Sequence, residues 1–377
     1  MMKQNGIRNL ILAMLVAAAL AAPALAEGPA AGALFTATNA TDGNEVWMYD
    51  RAADGTLTFR AAFETGGTGT GGGLGNQGGL IFSEGLRFLF VVNAGSDEIT
   101  SFEVRRNHLE LVDRVSSGGE RPVSLTIDRQ TLYVLNAGGI DGGTDNITGF
   151  TVGDDGTLTP IANSTQPLSA ASTSPAQVSF TPDGRQLVVT ERATNIIDIY
   201  AVDDDGVAGA PTSLPSAGTT PFGFDFSKRG LIFVSEANGG TESASYVSVY
   251  KLDCDGNLTT IAARVRTEET AACWVVVTDN GRFAYTTNTM SGTISGFTIA
   301  ADGNITLLES DGQSGQTGDG SGPIDLALDR LSLHLYSLNG GDGSISAFRV
   351  ASDGELIVLA DGGITGLPAG ANGLAVR

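Results

Sequence analysis

The chain has 377 residues and carries 42 acidic against 21 basic side chains, a formal charge of −21. So acidic a surface repels phosphate backbones, and no basic stripe or interleaved aromatic platform offsets it, so nucleic acid is not an expected partner. Aromatic and β-branched residues are plentiful between the turns, which argues against disorder.

Lys3 and Arg8 precede an apolar run, Leu10 to Ala22, which is followed by Pro23 and the small-residue site Ala24-Leu25-Ala26. That is the layout of a secretory signal peptide over 1–26, cleaved after Ala26. The apolar run falls short of the ~18 residues that argue a membrane span. The expected mature protein, 27–377, is therefore exported to the periplasm or beyond. It has no membrane span after cleavage.

From residue 27 onward one unit repeats. Asp-Gly precedes an apolar residue at Asp54, Asp155, Asp205, Asp255, Asp302 and Asp353, and two successive gaps are 50 residues each. The gap from Asp54 to Asp155 is 101 residues, and "RNHLEL" around His108 fills it as a divergent copy. That makes seven units. The fourth shows the pattern: "AQVSF", "QLVVTE" and "IIDIYAV" alternate and are rich in β-branched residues, and a weak fourth run lies near Gly209 to Leu214. A "PDGR" turn joins the first two runs. The Asp-Gly turn joins the last two and predicts a two-residue hairpin with both central residues at positive φ.

Four antiparallel strands per unit with no helical periodicity predict an all-β, seven-bladed β-propeller forming a single domain. The first unit, beginning "ALFTATN", lacks its innermost strand, and the last residues, "NGLAVR", resemble an innermost strand with nothing after it. Joined, they complete the seventh blade and remove two open edges.

With strands A to D running outward from the axis, the A–B and C–D turns share one face and are short. The B–C and D–A connections share the other and include "ETGGTGTGGGLGNQGG", "STQPLSAASTSP" and "DGQSGQTGDGSGP". Long loops on a rigid scaffold are where binding is usually built. The B strands exit onto that face at Asn39, Asn93, Asn136, Glu191, Glu236, Asn288 and Asn339. Asparagine there starts a turn through its side chain; Glu191 and Glu236, in adjacent blades, depart from it. On the A strands, alternation turns Gly79, Ser124, Gln177, Gly223, Trp274, Asp325 and Gly373 toward the channel, among which Gln177, Trp274 and Asp325 stand out.

Cys254 falls in an outer C–D turn and Cys273 at the start of an A strand on the opposite face, too far apart for a disulfide. The two histidines, His108 and His334, fall in a turn and a strand, so neither a histidine metal site nor a catalytic triad is indicated, and no cofactor is expected. "GTGTGGGLG" near Gly67 opens no helix, which argues against a dinucleotide site. "DDDG" and "DCDG" lack the ligand spacing of a calcium loop.

The units "LYVLNAG…NITGFTV…DGTLT" and "SPAQVSFTPDGRQLVVTERATNIIDIY" resemble the seven-bladed propeller lactonases, the group of bacterial 6-phosphogluconolactonases and fungal carboxymuconate cyclases, over roughly Leu34 to Arg377. The resemblance implies lactone ring opening or closing. In that family Pro-Arg-His precedes the "PDG" turn and Asn-Glu-Leu follows the next strand. Here Ala176 and Gln177 take the Arg and His positions, Glu191 the asparagine, and Arg192 the glutamate.

Two functions follow. One is a lactone hydrolase or lactonising cyclase for a sugar or organic acid, with Glu191 or Glu236 as base and Arg192, Arg121, Gln177 and the Trp274 indole as donors, beside Phe222 and Asp325. This requires the two carboxylates to converge on one pocket. The other is a non-catalytic propeller that binds an extracytoplasmic protein or glycan through the same face. Either is expected to act as a monomer.

Overall fold

The computed structural model describes residues 30–360 and 362–377, so the expected leader lies outside the described residues. Seven antiparallel sheets are arranged as blades, each running outward from an inner strand. Blade 4 is typical, with strands Pro175–Phe180, Gln186–Glu191, Ile196–Ala201 and Thr212–Pro215. In blades 3, 6 and 7 the outer strand is broken in two, as in Leu158–Pro160 and Gln166–Pro167. Among the described residues the exceptions to strand and loop are two single 3-10 turns, Gly138–Asp141 and Asn238–Gly240, both in B–C connections.

The ring closes as the termini predict. Asn372–Val376 pairs antiparallel with Gly32–Ala37, placing Phe35 opposite Ala375, so blade 1 is built from both ends of the chain. Packing explains the strand patterns. The second strands are buried along their whole length in blades 2, 4, 5, 6 and 7, because neighbouring blades cover both faces. Each large apolar side chain buried there contributes roughly 1.5–3 kcal/mol. Outer strands such as Leu57–Glu64 alternate toward solvent.

The Asp-Gly turns differ from the expected two-residue hairpin. Ala52 N–H donates to Thr56 O and Gly55 N–H to Ala52 O, and the same pair recurs from Gly153 to Thr157 and from Asp203 to Val207. Of the two residues only the glycine has positive φ, 92° at Gly55 and 87° at Gly156. This is a three-residue loop, a type I turn closed by a left-handed glycine. The aspartate keeps ordinary φ because its carboxylate accepts the N–H two residues on, as Asp54 does from Thr56 at 3.0 Å. The turns also latch blades together. Tyr133, Tyr285 and Tyr336 each donate a hydroxyl at 2.8 Å to the turn glycine of the following blade, Gly206, Gly354 and Gly55. The last joins blade 7 to blade 1.

Candidate functional site at the mouth of the channel

The B-strand exits are structural in every blade. Asn93 accepts from Thr65 Oγ1 at 2.7 Å and donates to Thr100 Oγ1 at 2.8 Å, tying the loop that enters blade 2 to the third strand. Strand pairing places Thr38, rather than Asn39, at the corresponding exit of blade 1, since Thr38 N–H bonds Glu45 O as the register continues.

Glu191 and Glu236 do the same work with carboxylates because their loops present donors. Both are fully buried. Glu191 Oε1 accepts Ser169 N–H at 2.9 Å, while Oε2 accepts the Ser169 and Thr194 hydroxyls. Glu236 Oε1 accepts Ser216 Oγ and Gly218 N–H at 2.8 Å and Tyr250 OH at 3.1 Å; Oε2 accepts Ser248 Oγ at 2.8 Å. They share no hydrogen-bond partner: each carboxylate is held by its own loop, with both oxygens engaged. Beside Glu191 lies Asp198, also fully buried, where blades 2, 5, 6 and 7 place Thr100, Ser248, Ser295 and Ser346. Burial, then the hydrogen bond with Glu191, raises Asp198 to about 7.

Around the channel the inner strands would expose unpaired N–H groups, and inward side chains of the preceding blade cap them. Ser124 Oγ accepts from Val178 N, Thr126 Oγ1 from Phe180 N, and Asp225 Oδ2 from Val277 N. Gln177 embraces Phe224 with both ends of its amide, accepting from N at 2.7 Å and donating to O at 3.0 Å. Gln177 and Asp325 line a channel cavity of about 300 Å³, but so do Leu125, Val178, Leu326 and Leu374, their neighbours or the equivalents on other inner strands, so alternation does not by itself sort the two faces there. Burial raises Asp325 well above the carboxylate range.

The cavity is closed toward the long-loop face by a feature that sequence reasoning missed. The glycine-rich connection between blades 1 and 2 folds inward, and Leu74–Gln77 forms a plug. Gln77 Nε2 donates to Val275 O at 2.8 Å and its Oε1 accepts Val275 N at 3.1 Å. Asn76 O accepts the Trp274 indole N–H at 2.7 Å, and its side chain reaches Val123 O and Asn372. The density of glycines was the available signal: a connection thin enough to enter a channel needs residues without side chains.

Over the plug lies the mouth. In blades 3 to 7 the residue after the B strand donates its N–H to the left-handed residue before the A strand: Ala137 to Arg121, Arg192 to Ser174, Ala237 to Thr220, Thr289 to Ala271 and Gly340 to Gly322. Arg192 is the one long side chain of these five. Its Nε donates to Ser174 O at 2.9 Å, its guanidinium lies 5.2 Å from the centre of the Phe222 ring, and Phe222 in turn meets Trp274 at 4.7 Å. Burial, opposed by Cys273 and reinforced by Arg121, holds the Arg192 guanidinium below its ordinary value. Arg121, itself at φ 55°, has a single long ion pair to the exposed Asp141, at 3.6 Å. The mouth thus presents Arg192 and Arg121, with Phe222 and Trp274 buried behind the Arg192 guanidinium; Glu191 and Glu236 are buried in their own loops and Gln177 and Asp325 line the channel cavity. Cys273 is a buried thiol that burial pushes up to about 11, and Cys254 is exposed; both are free, as their placement predicts.

A plugged seven-bladed propeller with a cationic mouth is the class these elements define. The description "Lactonase, 7-bladed beta-propeller" matches residues 43–168, 146–273 and 237–364, and the chain belongs to that family. A 6-phosphogluconolactonase of Yersinia enterocolitica is 28% identical over 87 residues, 23% of this chain and 25% of the relative, so the chain matches about a quarter of the length of its curated relatives. The fold is similar to that of the periplasmic gluconolactonase of Pseudomonas aeruginosa, with TM-score 0.71, 18% identity, and 92% and 98% of the two chains covered. A Lactobacillus plantarum protein aligns with TM-score 0.72 at 20% identity, covering 92% and 99%.

Proposed function

We propose that this is an exported lactonase that opens the lactone of a sugar or organic acid at the long-loop mouth. The observation that carries the reading is Arg192, aimed by Ser174 O and Phe222 at the mouth of a lactonase-family propeller. Its Nη groups supply the donors that an acyl carbonyl needs as negative charge develops on it, and Phe222, buried between the guanidinium and Trp274, holds the group in place. Glu191 and Glu236 serve the scaffold, since every carboxylate oxygen is engaged. Water attack then proceeds without a carboxylate base, and turnover rises with hydroxide concentration. Export rests on the leader pattern at 1–26 and accords with the periplasmic relative.

A pH-stat assay of the mature protein against sugar and aliphatic lactones tests this. Arg192→Gln is expected to lower turnover by 10²-fold or more, in the range seen for lost oxyanion donors. No turnover above buffer by folded wild type sinks the hydrolase. The burial of both glutamates favours a second reading, a propeller that binds its ligand at the same mouth without turnover.

A further inference from the structure

Arg192 is half-buried, and among the described residues no carboxylate lies within ion-pair distance of it. In a chain with twice as many acidic as basic residues, that is informative. A partly desolvated cation is costly unless paired, and nearby Arg121 adds repulsion rather than relief. Nε is spent on Ser174 O, which fixes the plane of the guanidinium and leaves the Nη atoms toward the plug. There a Cβ on Gly75 would lie 2.7 Å from Nη1. Glycine at 75, with φ 64°, lets the plug backbone pack against one edge of the guanidinium without a clash. A planar fork of donors held in place, backed by a second cation and bordered by Phe222, matches a carboxylate in geometry as well as charge.

We infer that the mouth is a carboxylate subsite for a polyhydroxy acid, the ring-opened form of the lactone, with Arg192 as its fork and Arg121 as the second positive charge. This rests on the lactone reading for the body of the ligand. It goes beyond that reading because it makes the free acid a ligand in its own right and a competitive inhibitor of any turnover.

The test is titration calorimetry on the mature protein with gluconate, with sorbitol as its uncharged counterpart and inorganic phosphate as a bare anion. Gluconate is expected to bind at least tenfold more tightly than sorbitol. Arg192→Gln should weaken gluconate at least tenfold and leave sorbitol unchanged, Arg192→Lys should fall between, and Arg121→Gln should cost less. Raising salt should weaken gluconate alone, a readout that needs no variant to fold. Equal binding of gluconate and sorbitol, or an unchanged gluconate affinity in folded Arg192→Gln, overturns the proposal. Phosphate binding as tightly as gluconate overturns the carboxylate assignment. Failure of lactone hydrolysis with gluconate binding intact sinks the hydrolase reading and leaves this one standing.

Discussion

Gln77 and Val275 face each other across the channel and exchange two hydrogen bonds, 3.1 Å to the Val275 N–H and 2.8 Å to its carbonyl. The pattern repeats that of Gln177 on Phe224. Blade 5 has glycine at 223, the position equivalent to Gln177, and the plug amide occupies the space that a side chain would fill.

Gly223→Ala therefore places a methyl group against Gln77 Oε1, with Cys273 O only 2.7 Å away. Overpacking of this kind costs about 1–3 kcal/mol. Gln77→Ala leaves the Val275 N–H and C=O unpaired and costs about the same. Urea denaturation measures both, and a red shift of the Trp274 emission, scored in a Trp47→Phe background, reports loss of the plug.

Asp198 makes stability depend on pH. Its folded pKa of about 7 lies above the ordinary carboxylate range, so the native state holds a proton that the unfolded chain has released. Stability from this group is full below about pH 4 and is lost as pH rises to about 7, at up to roughly 1.4 kcal/mol per unit. Asp225 contributes in the same direction up to about 6. Asp325, raised well above the carboxylate range, adds to this dependence, so Asp198→Ser, the residue used by blade 5, should reduce the wild-type slope up to about pH 7 without abolishing it. Equal slopes in the two proteins would refute the assignment.

Glu236 is expected to matter for folding through its acceptors rather than its charge. Glu236→Gln keeps an oxygen for Gly218 N–H and Tyr250 OH and should cost under about 1 kcal/mol. Glu236→Leu strands those donors, along with the Ser216 and Ser248 hydroxyls, and should cost about 3 kcal/mol or more, read from the urea midpoint.

The two cysteines should separate by reactivity. Cys254 is exposed, whereas Cys273 is buried with its thiol pushed up to about 11. Ellman's reagent at pH 8 should titrate one thiol in the native protein and two in denaturant, and an initial count of two would contradict the burial of Cys273.

Blade number, strand order and ring closure were legible in the chain because each is a local periodicity repeated seven times, and repetition averages out local ambiguity. Gln177 and Asp325 were picked out by alternation, yet their apolar neighbours Val178 and Leu326 line the same cavity, so alternation alone did not decide it. The roles did not follow. Glu191 stood out as an exception among asparagines, yet its meaning depends on Ser169, a loop residue 22 positions away in sequence that presents both its N–H and its hydroxyl. The next residue, Arg192, is the side chain that reaches the mouth, and one position along a strand end separates scaffold from surface.

What the sequence determined by itself is the propeller: alternating runs, a turn at each Asp-Gly, and a blade short of one strand at one end of the chain with a lone strand at the other admit one closed arrangement. What only the tertiary structure decided is which groups are free. The glycine-rich connection reads as a flexible loop until Gly223 is seen to leave room for Gln77, a contact between residues 146 positions apart. The two glutamates read as bases until their loops are seen to occupy every oxygen. Whether a polar side chain is spent on the scaffold or left for a ligand depends on contacts between distant segments, and those exist only once the ring has closed.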